Sequence, residues 1–397
     1  MNKIAIAFPG QNAQYTGMGK ALCEKNTIAN QTFEEASDYL GQDIKQLCFE
    51  GPDSELGKTV NTQVCILTAS VAAFRTYMEL TGKKPSIMLG HSFGEISALT
   101  CAGAIAFQDA LQIAKIRAAI AQEAFSSQPG VMKAVIGVPY DMIEQECRKA
   151  SSVGDIVNIA NYNTESQVVI CGMQQAVEKV SARMEEMNAR VISLKVSSAF
   201  HSPLMKKAST QFEQELKRFT FHEFDYPVLS SVTVKPYCDP LEVPKILVRQ
   251  LYSPVKWTQC INFVKDSVDC IVDIGPGNTF KKMEKHNSNP ANVLTFDDEM
   301  DREKIALEYK EERKDTYESF LGKCLAISSS TENRNKDVDE YQNGVIKAYN
   351  ELRNRYLKAL DQEESETERN QAICLLDEIL RTKKMPDEER ENRLTIY

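Results

Sequence analysis

The residues Gly90-His91-Ser92-Phe93-Gly94 form a GxSxG sequence between an apolar run, SIML, and a helically patterned stretch, EISALTCAGAI. A serine held between glycines at a strand-to-helix turn is a nucleophile elbow. The turn is tight, so glycines flank it, and the serine hydroxyl stands exposed near a helix N-terminus. There the backbone N–H of Phe93 is free to donate to an oxyanion. The chemistry such an arrangement permits is attack on an acyl carbon to give an acyl-serine. A chance GxSxG in a glycine-bearing loop is the competing reading, and the strand-turn-helix context speaks against it.

A serine hydroxyl needs a general base, and the chain has four histidines, His91, His201, His222 and His286. His91 adjoins the nucleophile on a tight turn and is expected to point elsewhere. His222 and His286 lie in charged stretches and read as surface residues. His201, in SSAFHSP, follows the apolar run VISLKV, where a strand is expected to end. Strand ends in open α/β sheets are where sites form. A lone histidine is often only a satisfied structural residue; elimination favours His201 as the base.

One cation is out of place. QDALQIAKIRAAIAQEA reads as a helix whose apolar face carries Ala110, Ile113, Ala114, Ile120, Ala121 and Ala124, and Arg117 falls on that face. An inward-facing cation is costly unless paired. Its partner is either an internal Asp or Glu or the carboxylate of a substrate, which a guanidinium matches with two parallel hydrogen bonds.

The elements that must position these groups alternate between strands and helices. KIAIAF, SIMLG, VISLKV, PVLSSV and CIVDIG are short apolar runs closed by Gly, Pro or Ser, and helical patterns separate several of them. The expected fold class is α/β, a hydrolase-like core with a largely parallel sheet. Residues 127–198 run strand (VMKAVIGV), helix, strand (DIVNIANYN), strand (SQVVICG), helix, strand (ARVISLKV), the β-α-β-β-α-β order of a small ferredoxin-like α+β subdomain. The large subdomain is then assigned to 1–126 and 199–300. From 301 to 397 the chain becomes strongly charged. Helical spacing recurs in VIKAYNELRNRYLKAL and AICLLDEILR, with a polar linker, TENRNKDVDEYQNG, and an acidic run, DQEESETE, beside them. This is expected to be a helical, partly flexible C-terminal extension without visible chemistry.

Composition narrows the field. A net charge of −9 argues against non-specific nucleic-acid binding while permitting a local basic patch for an acidic protein. No run approaches the length of a membrane span, and the N-terminus lacks the features of a signal peptide. Eleven scattered cysteines, with no CxxC pair and no Cys/His cluster, read as reduced cytoplasmic thiols, and a metal site is not expected.

Together these residues resemble the malonyl-CoA:acyl carrier protein transacylases of fatty acid, polyketide and antibiotic synthesis, over roughly residues 1–290. FPGQNAQ resembles the family's FPGQGSQ loop, and Asn61 to Gln63 its TQP segment. GHSFGE resembles its elbow and IRAAIAQEA its arginine helix. AFH at Ala199 to His201 resembles the malonyl-selective form of its histidine motif, and QLYSPVKW and DIGPGNTF its later motifs. The resemblance implies that Ser92 is the nucleophile and His201 the base, oriented by the backbone carbonyl of Gln250. It implies an oxyanion hole from the N–H groups of Gln11 and Phe93, and Arg117 as the malonyl carboxylate clamp. Gln63 would support the pocket, and Phe200 would crowd the α-carbon against a methyl branch. The implied reaction is ping-pong, from malonyl-CoA to the phosphopantetheine thiol of an acyl carrier protein or carrier domain, with no cofactor. Two features depart from the family pattern. Asn12 stands where Gly is usual, and the chain continues past the minimal domain, as in long stand-alone transacylases of antibiotic synthase systems.

Three other readings compete. An acyl hydrolase of the same fold would clear stalled acyl groups, but it gains nothing from a carboxylate clamp. An ordinary α/β-hydrolase esterase expects Ser, Asp or Glu, then His in chain order, without a ferredoxin-like insert before the histidine. A silent docking protein would have no use for Ser92, His201 and Arg117 together.

Overall fold

The structure is a computed structural model that describes residues 3–152, 154–194, 199–313, 319–359 and 365–394. By backbone proximity the chain forms two compact units, Met1–Ile305 and Ala306–Tyr397.

The first unit is built on a five-stranded parallel sheet. Its strands are β1 (Ile4–Phe8), β2 (Ile87–Gly90), β7 (Val228–Leu229), β8 (Cys270–Asp273) and β9 (Val293–Thr295), in the spatial order β7-β2-β1-β8-β9. All four neighbouring pairs are parallel. β1, β2 and β8 are buried along their whole length, as strands covered on both faces must be. β9 is three residues long, too short to show a period, and has no counterpart in the sequence reading.

A 23-residue helix, Thr59–Thr81, is buried on almost every side, as its largely uncharged sequence requires. The helix Phe107–Ser127 packs against it. Phe107–Ser127 buries the expected stripe through Ala121, with Arg117 on it, while Ala124 is only half-buried.

A second sheet is inserted between β2 and β7 in sequence. β3 (Val131–Ile136), β4 (Val157–Thr164), β5 (Gln167–Gly172) and β6 (Arg190–Ser193) pair in the order β4-β5-β3-β6, every pair antiparallel. The helices Tyr140–Ala150 and Gln174–Glu186 cover one face around Val135, Ile143, Val168, Ile170 and Val177. This sheet is tied to the larger body through backbone: Tyr162 N–H donates to Val255 O (2.9 Å), and Val255 N–H to Ala160 O (2.8 Å).

The unit Ala306–Tyr397 has an apolar core of its own. Leu321, Cys324, Val345, Leu352, Leu376, Ile379 and Leu380 are packed together by the helices Phe320–Ser330, Lys347–Ala359 and Glu366–Thr382. The segment read as a polar linker is partly helical, with Val338–Tyr341 followed by a π-turn at Gln342–Ile346. Its ordering is polar. Asp337 caps the short helix, and Asn335 Nδ2 donates to Thr382 O at 2.8 Å. Of the acidic run, 361–364 lie outside the described residues. Ser365 and Glu368 form a capping box that starts the last long helix.

Candidate active site

The elbow forms because two glycines let backbone meet backbone. A Cβ on Gly90 would lie 2.1 Å from Glu95 N, and one on Gly94 2.1 Å from Phe8 O. Ser92 between them has φ of 53°, a left-handed conformation that non-glycine residues seldom adopt. The helix Gly94–Cys101 follows at once. The loop after β1 lies against the same turn. His91 N–H donates to Phe8 O (3.0 Å), and a Cβ on Gly10 would be 2.4 Å from His91 O. Phe93 follows the serine directly, and Gln11 follows the Gly10 that meets His91. Among the described residues, neither of their backbone N–H groups is engaged. Asn12, at the position usually held by Gly, has φ of 82° and donates its N–H to Gln14 Oε1 (2.8 Å). The positive φ explains the usual glycine, and Asn tolerates it.

His201 reaches the serine from a loop 109 residues downstream, and Ser92 Oγ–H donates to His201 Nε2 at 2.6 Å. Its Nδ1 faces two carbonyls, Gln250 O at 2.8 Å and Ser253 O at 3.2 Å. Carbonyls only accept, so Nδ1 carries the proton and Nε2 is left as the acceptor that a base requires. Burial, then the Arg117 charge, push the imidazole down to about 3 from its ordinary 6.5, so it rests neutral. The strand before His201 ends at Ser193 and belongs to the antiparallel sheet through β3, not to the parallel sheet. His201 therefore does not sit at a parallel-strand end; residues 195–198 of that connection lie outside the described residues. The other histidines are elsewhere. His91 Nε2 meets Asn163 Oδ1 at 2.9 Å, and His222 and His286 are exposed.

Arg117 is 1% exposed. Among the described residues it has no carboxylate within ion-pair distance, and its one side-chain hydrogen bond runs from Nη2 to Gln250 Oε1 at 3.3 Å. The guanidinium lies over the Phe200 ring, 4.1 Å from its centroid, with Phe93 at 5.8 Å. Burial holds its pKa down to about 9, against the opposing pull of the Glu95 carboxylate. Gln63 is fully buried, and both its side-chain polar atoms lack a protein partner among the described residues. An orphaned amide inside a buried helix is costly without a ligand or water to meet it.

Sequence reasoning missed Glu95, Ser231, Tyr237 and Ser253. Glu95 carried a signal of the same kind as Arg117, a lone charge in the apolar stretch EISALTCAGAI. Among the described residues no cluster of three or more His, Cys, Asp or Glu is placed to hold a metal, and no helix is long and apolar enough to cross a membrane.

The chain that carries this site is similar to known proteins over most of its length. The acyl transferase domain family model matches residues 6–331. The chain belongs to the malonyl-CoA:acyl carrier protein transacylase family of acyl transferases. A malonyl CoA-acyl carrier protein transacylase of Bacillus subtilis is 35% identical over 346 residues, covering 86% of each chain. The solved structure of an acyl carrier protein S-malonyltransferase from Vibrio cholerae matches with a TM-score of 0.73 and 36% identity, covering 76% of this chain and 99% of that one. A type II polyketide-synthase acyl-carrier protein in complex with its malonyl-transacylase matches with a TM-score of 0.73 and 36% identity over 78% of this chain and 99% of that one.

Proposed function

We propose that this transacylase moves malonyl from malonyl-CoA to the phosphopantetheine thiol of an acyl carrier protein through a malonyl-serine at Ser92. The observation that carries the reading is Arg117, a buried cation with no carboxylate in direct contact among the described residues, which shares Gln250 as a hydrogen-bond partner with a serine already bonded to its base. The chemistry follows from the geometry. Ser92 Oγ attacks the thioester carbonyl as its proton passes to His201 Nε2. The N–H groups of Gln11 and Phe93 hold the oxyanion. The C–S bond breaks, and the proton on His201 goes to the departing CoA sulfur. The carrier thiol then gives its proton to His201 and attacks the malonyl ester; the C–O bond to Ser92 breaks, and His201 returns the proton to Ser92 Oγ. Gln250 O and Ser253 O accept from Nδ1 throughout and favour the imidazolium while it exists. Arg117 binds the malonyl carboxylate, Gln63 meets a polar group of the substrate, and the Phe200 ring narrows the space beside the α-carbon. The chemistry is carried by side chains and backbone alone and calls for no cofactor.

The division into a large subdomain (1–126 and 199–300), a ferredoxin-like subdomain (127–198) and an extension (301–397) is part of this proposal. The eleven scattered cysteines, without a CxxC pair in the sequence, fit a reducing, cytoplasmic setting. The open guanidinium favours transfer of malonyl over general acyl hydrolysis, since it would stand as an unpaired charge against most acyl chains.

The test is intact mass after incubation with malonyl-CoA. One malonyl adduct is expected on the parent and none on Ser92→Ala. An adduct that survives in the alanine variant overturns the assignment.

A further inference from the structure

Glu95 occupies the first turn of the helix that follows the nucleophile, and it is fully buried. Four donors converge on its carboxylate. Tyr237 OH gives to Oε1 at 2.6 Å, while Ser231 N–H (3.1 Å), Ser231 Oγ–H (2.5 Å) and Gln250 Nε2–H (2.8 Å) give to Oε2. Every partner donates, so the group is built as an anion. Burial, followed by the Glu95 charge, pushes the Tyr237 phenol up, which keeps that partner a donor.

The Gln250 amide connects this anion to the pocket. Its Nε2 donates to Glu95 Oε2 and also to Ser92 O (3.0 Å), both acceptors only, so the amide can take one orientation. Its Oε1 end must then face Arg117 Nη2, as it does. The buried cation and the buried anion are therefore not in contact. They are joined through one neutral amide, which leaves the remaining guanidinium hydrogens unclaimed by a protein carboxylate.

We propose that Glu95 is a positioning residue for the malonyl carboxylate site: acting through the Gln250 side chain, it holds Arg117 in place and balances its charge without occupying it. This rests on the reading of Arg117 as the carboxylate clamp. A direct Glu–Arg pair at this site would satisfy Arg117 and close it to substrate. A relayed pair keeps the cation in register and available. The same amide fixes the Ser92 carbonyl, so the elbow and the clamp share one support.

The experiment compares self-acylation rates with malonyl-CoA and acetyl-CoA in the parent, Glu95→Gln and Tyr237→Phe. Glu95→Gln keeps the shape and removes the charge, and its own amide can turn Gln250 around. The malonyl-to-acetyl ratio should fall by about tenfold. Tyr237→Phe keeps the carboxylate and its bond to Gln250, so its ratio should stay within about twofold of the parent. An unchanged ratio in Glu95→Gln, with both rates lowered together, overturns the proposal, as does an equal shift in Tyr237→Phe. If Glu95→Gln does not fold, Glu95→Asp is read by the same ratio. It keeps the charge but withdraws it from Gln250, and a ratio equal to the parent's overturns the proposal. A parent that is not malonylated at all refutes the parent function instead, so the two failures are distinct.

Discussion

Replacing Arg117 by alanine should change which thioester the protein prefers, and the size of the change follows from what surrounds the guanidinium. Arg117 is almost fully buried, makes one long hydrogen bond to Gln250 Oε1, and has no protein carboxylate in reach among the described residues. A substrate carboxylate would be the one counter-charge in direct contact with it, since Glu95 reaches it only through the Gln250 amide. A charge-assisted bond of this kind contributes about 1.5–3 kcal/mol. Since about 1.4 kcal/mol is a decade, malonyl transfer to Ser92 should fall at least about tenfold and up to about a hundredfold. Acetyl-CoA has no carboxylate to lose. The charge of Arg117 is also the second cause, after burial, of the low basicity of His201. Removing it should make His201 a better acceptor, so acetylation should hold or rise. The assay is the ratio of self-acylation rates with the two thioesters, in parent and variant. Arg117→Lys keeps the charge without the two-pronged fork and should recover only part of the ratio. The alternative is that Arg117 is a packing element, because its guanidinium covers the Phe200 ring at 4.1 Å. In that case both rates fall together, the ratio stays fixed, and the reasoning is refuted.

Four further outcomes are expected. His201→Ala should slow acylation by about 10²–10⁴-fold while the fold persists, and an unchanged rate would move the base elsewhere. Because His201 is held at about 3 in the folded protein against 6.5 ordinarily, its Nε2 can accept at neutral pH and well below. Acylation should therefore show no His201 limb between about pH 5 and 7.5, and a midpoint near the ordinary histidine value would contradict this. The same depression means that the unfolded chain binds the proton more readily. The stability linked to His201 is present above pH 6.5 and lost as pH falls from there toward 3. The drop in melting temperature on acidification should accordingly be smaller in His201→Ala than in the parent. A chain ending at Arg313 should keep self-malonylation within about twofold, since every site residue precedes it and the later unit has its own core. Loss of the reaction in a folded truncation would show that the extension completes the site.

How far each residue was legible depended on how local its signal is. Ser92 was visible because the elbow needs its glycines at fixed offsets, and the backbone clashes a Cβ would make at Gly90 and Gly94 are the physical content of that motif. Arg117 was visible as a charge on an apolar helix face. His201 emerged by elimination, but the strand argument used for it failed, because periodicity identifies a strand and not the sheet it joins. Gln11, Gln63, Phe200 and Gln250 entered through family resemblance. No pattern in one chain announces that a backbone carbonyl at Gln250 will meet a ring 49 residues upstream. Glu95 is met by Ser231 and Tyr237 from a turn more than a hundred residues downstream, and only the fold shows them around one carboxylate. β9 and the short helix Val338–Tyr341 were too brief for any period to register.

The central claim is that a malonyl group rests on Ser92 and leaves it for a carrier thiol rather than for water. It is tested most directly by loading the protein with malonyl-CoA, removing free CoA species, and dividing the acyl-enzyme between buffer alone and buffer with a phosphopantetheinylated acyl carrier protein. Intact mass then follows both proteins over time. The account predicts that malonyl disappears from the enzyme as it appears on the carrier, while the sample in buffer alone keeps its adduct for much longer. Equal loss in both samples, with no malonyl on the carrier, would contradict it and make the protein a hydrolase.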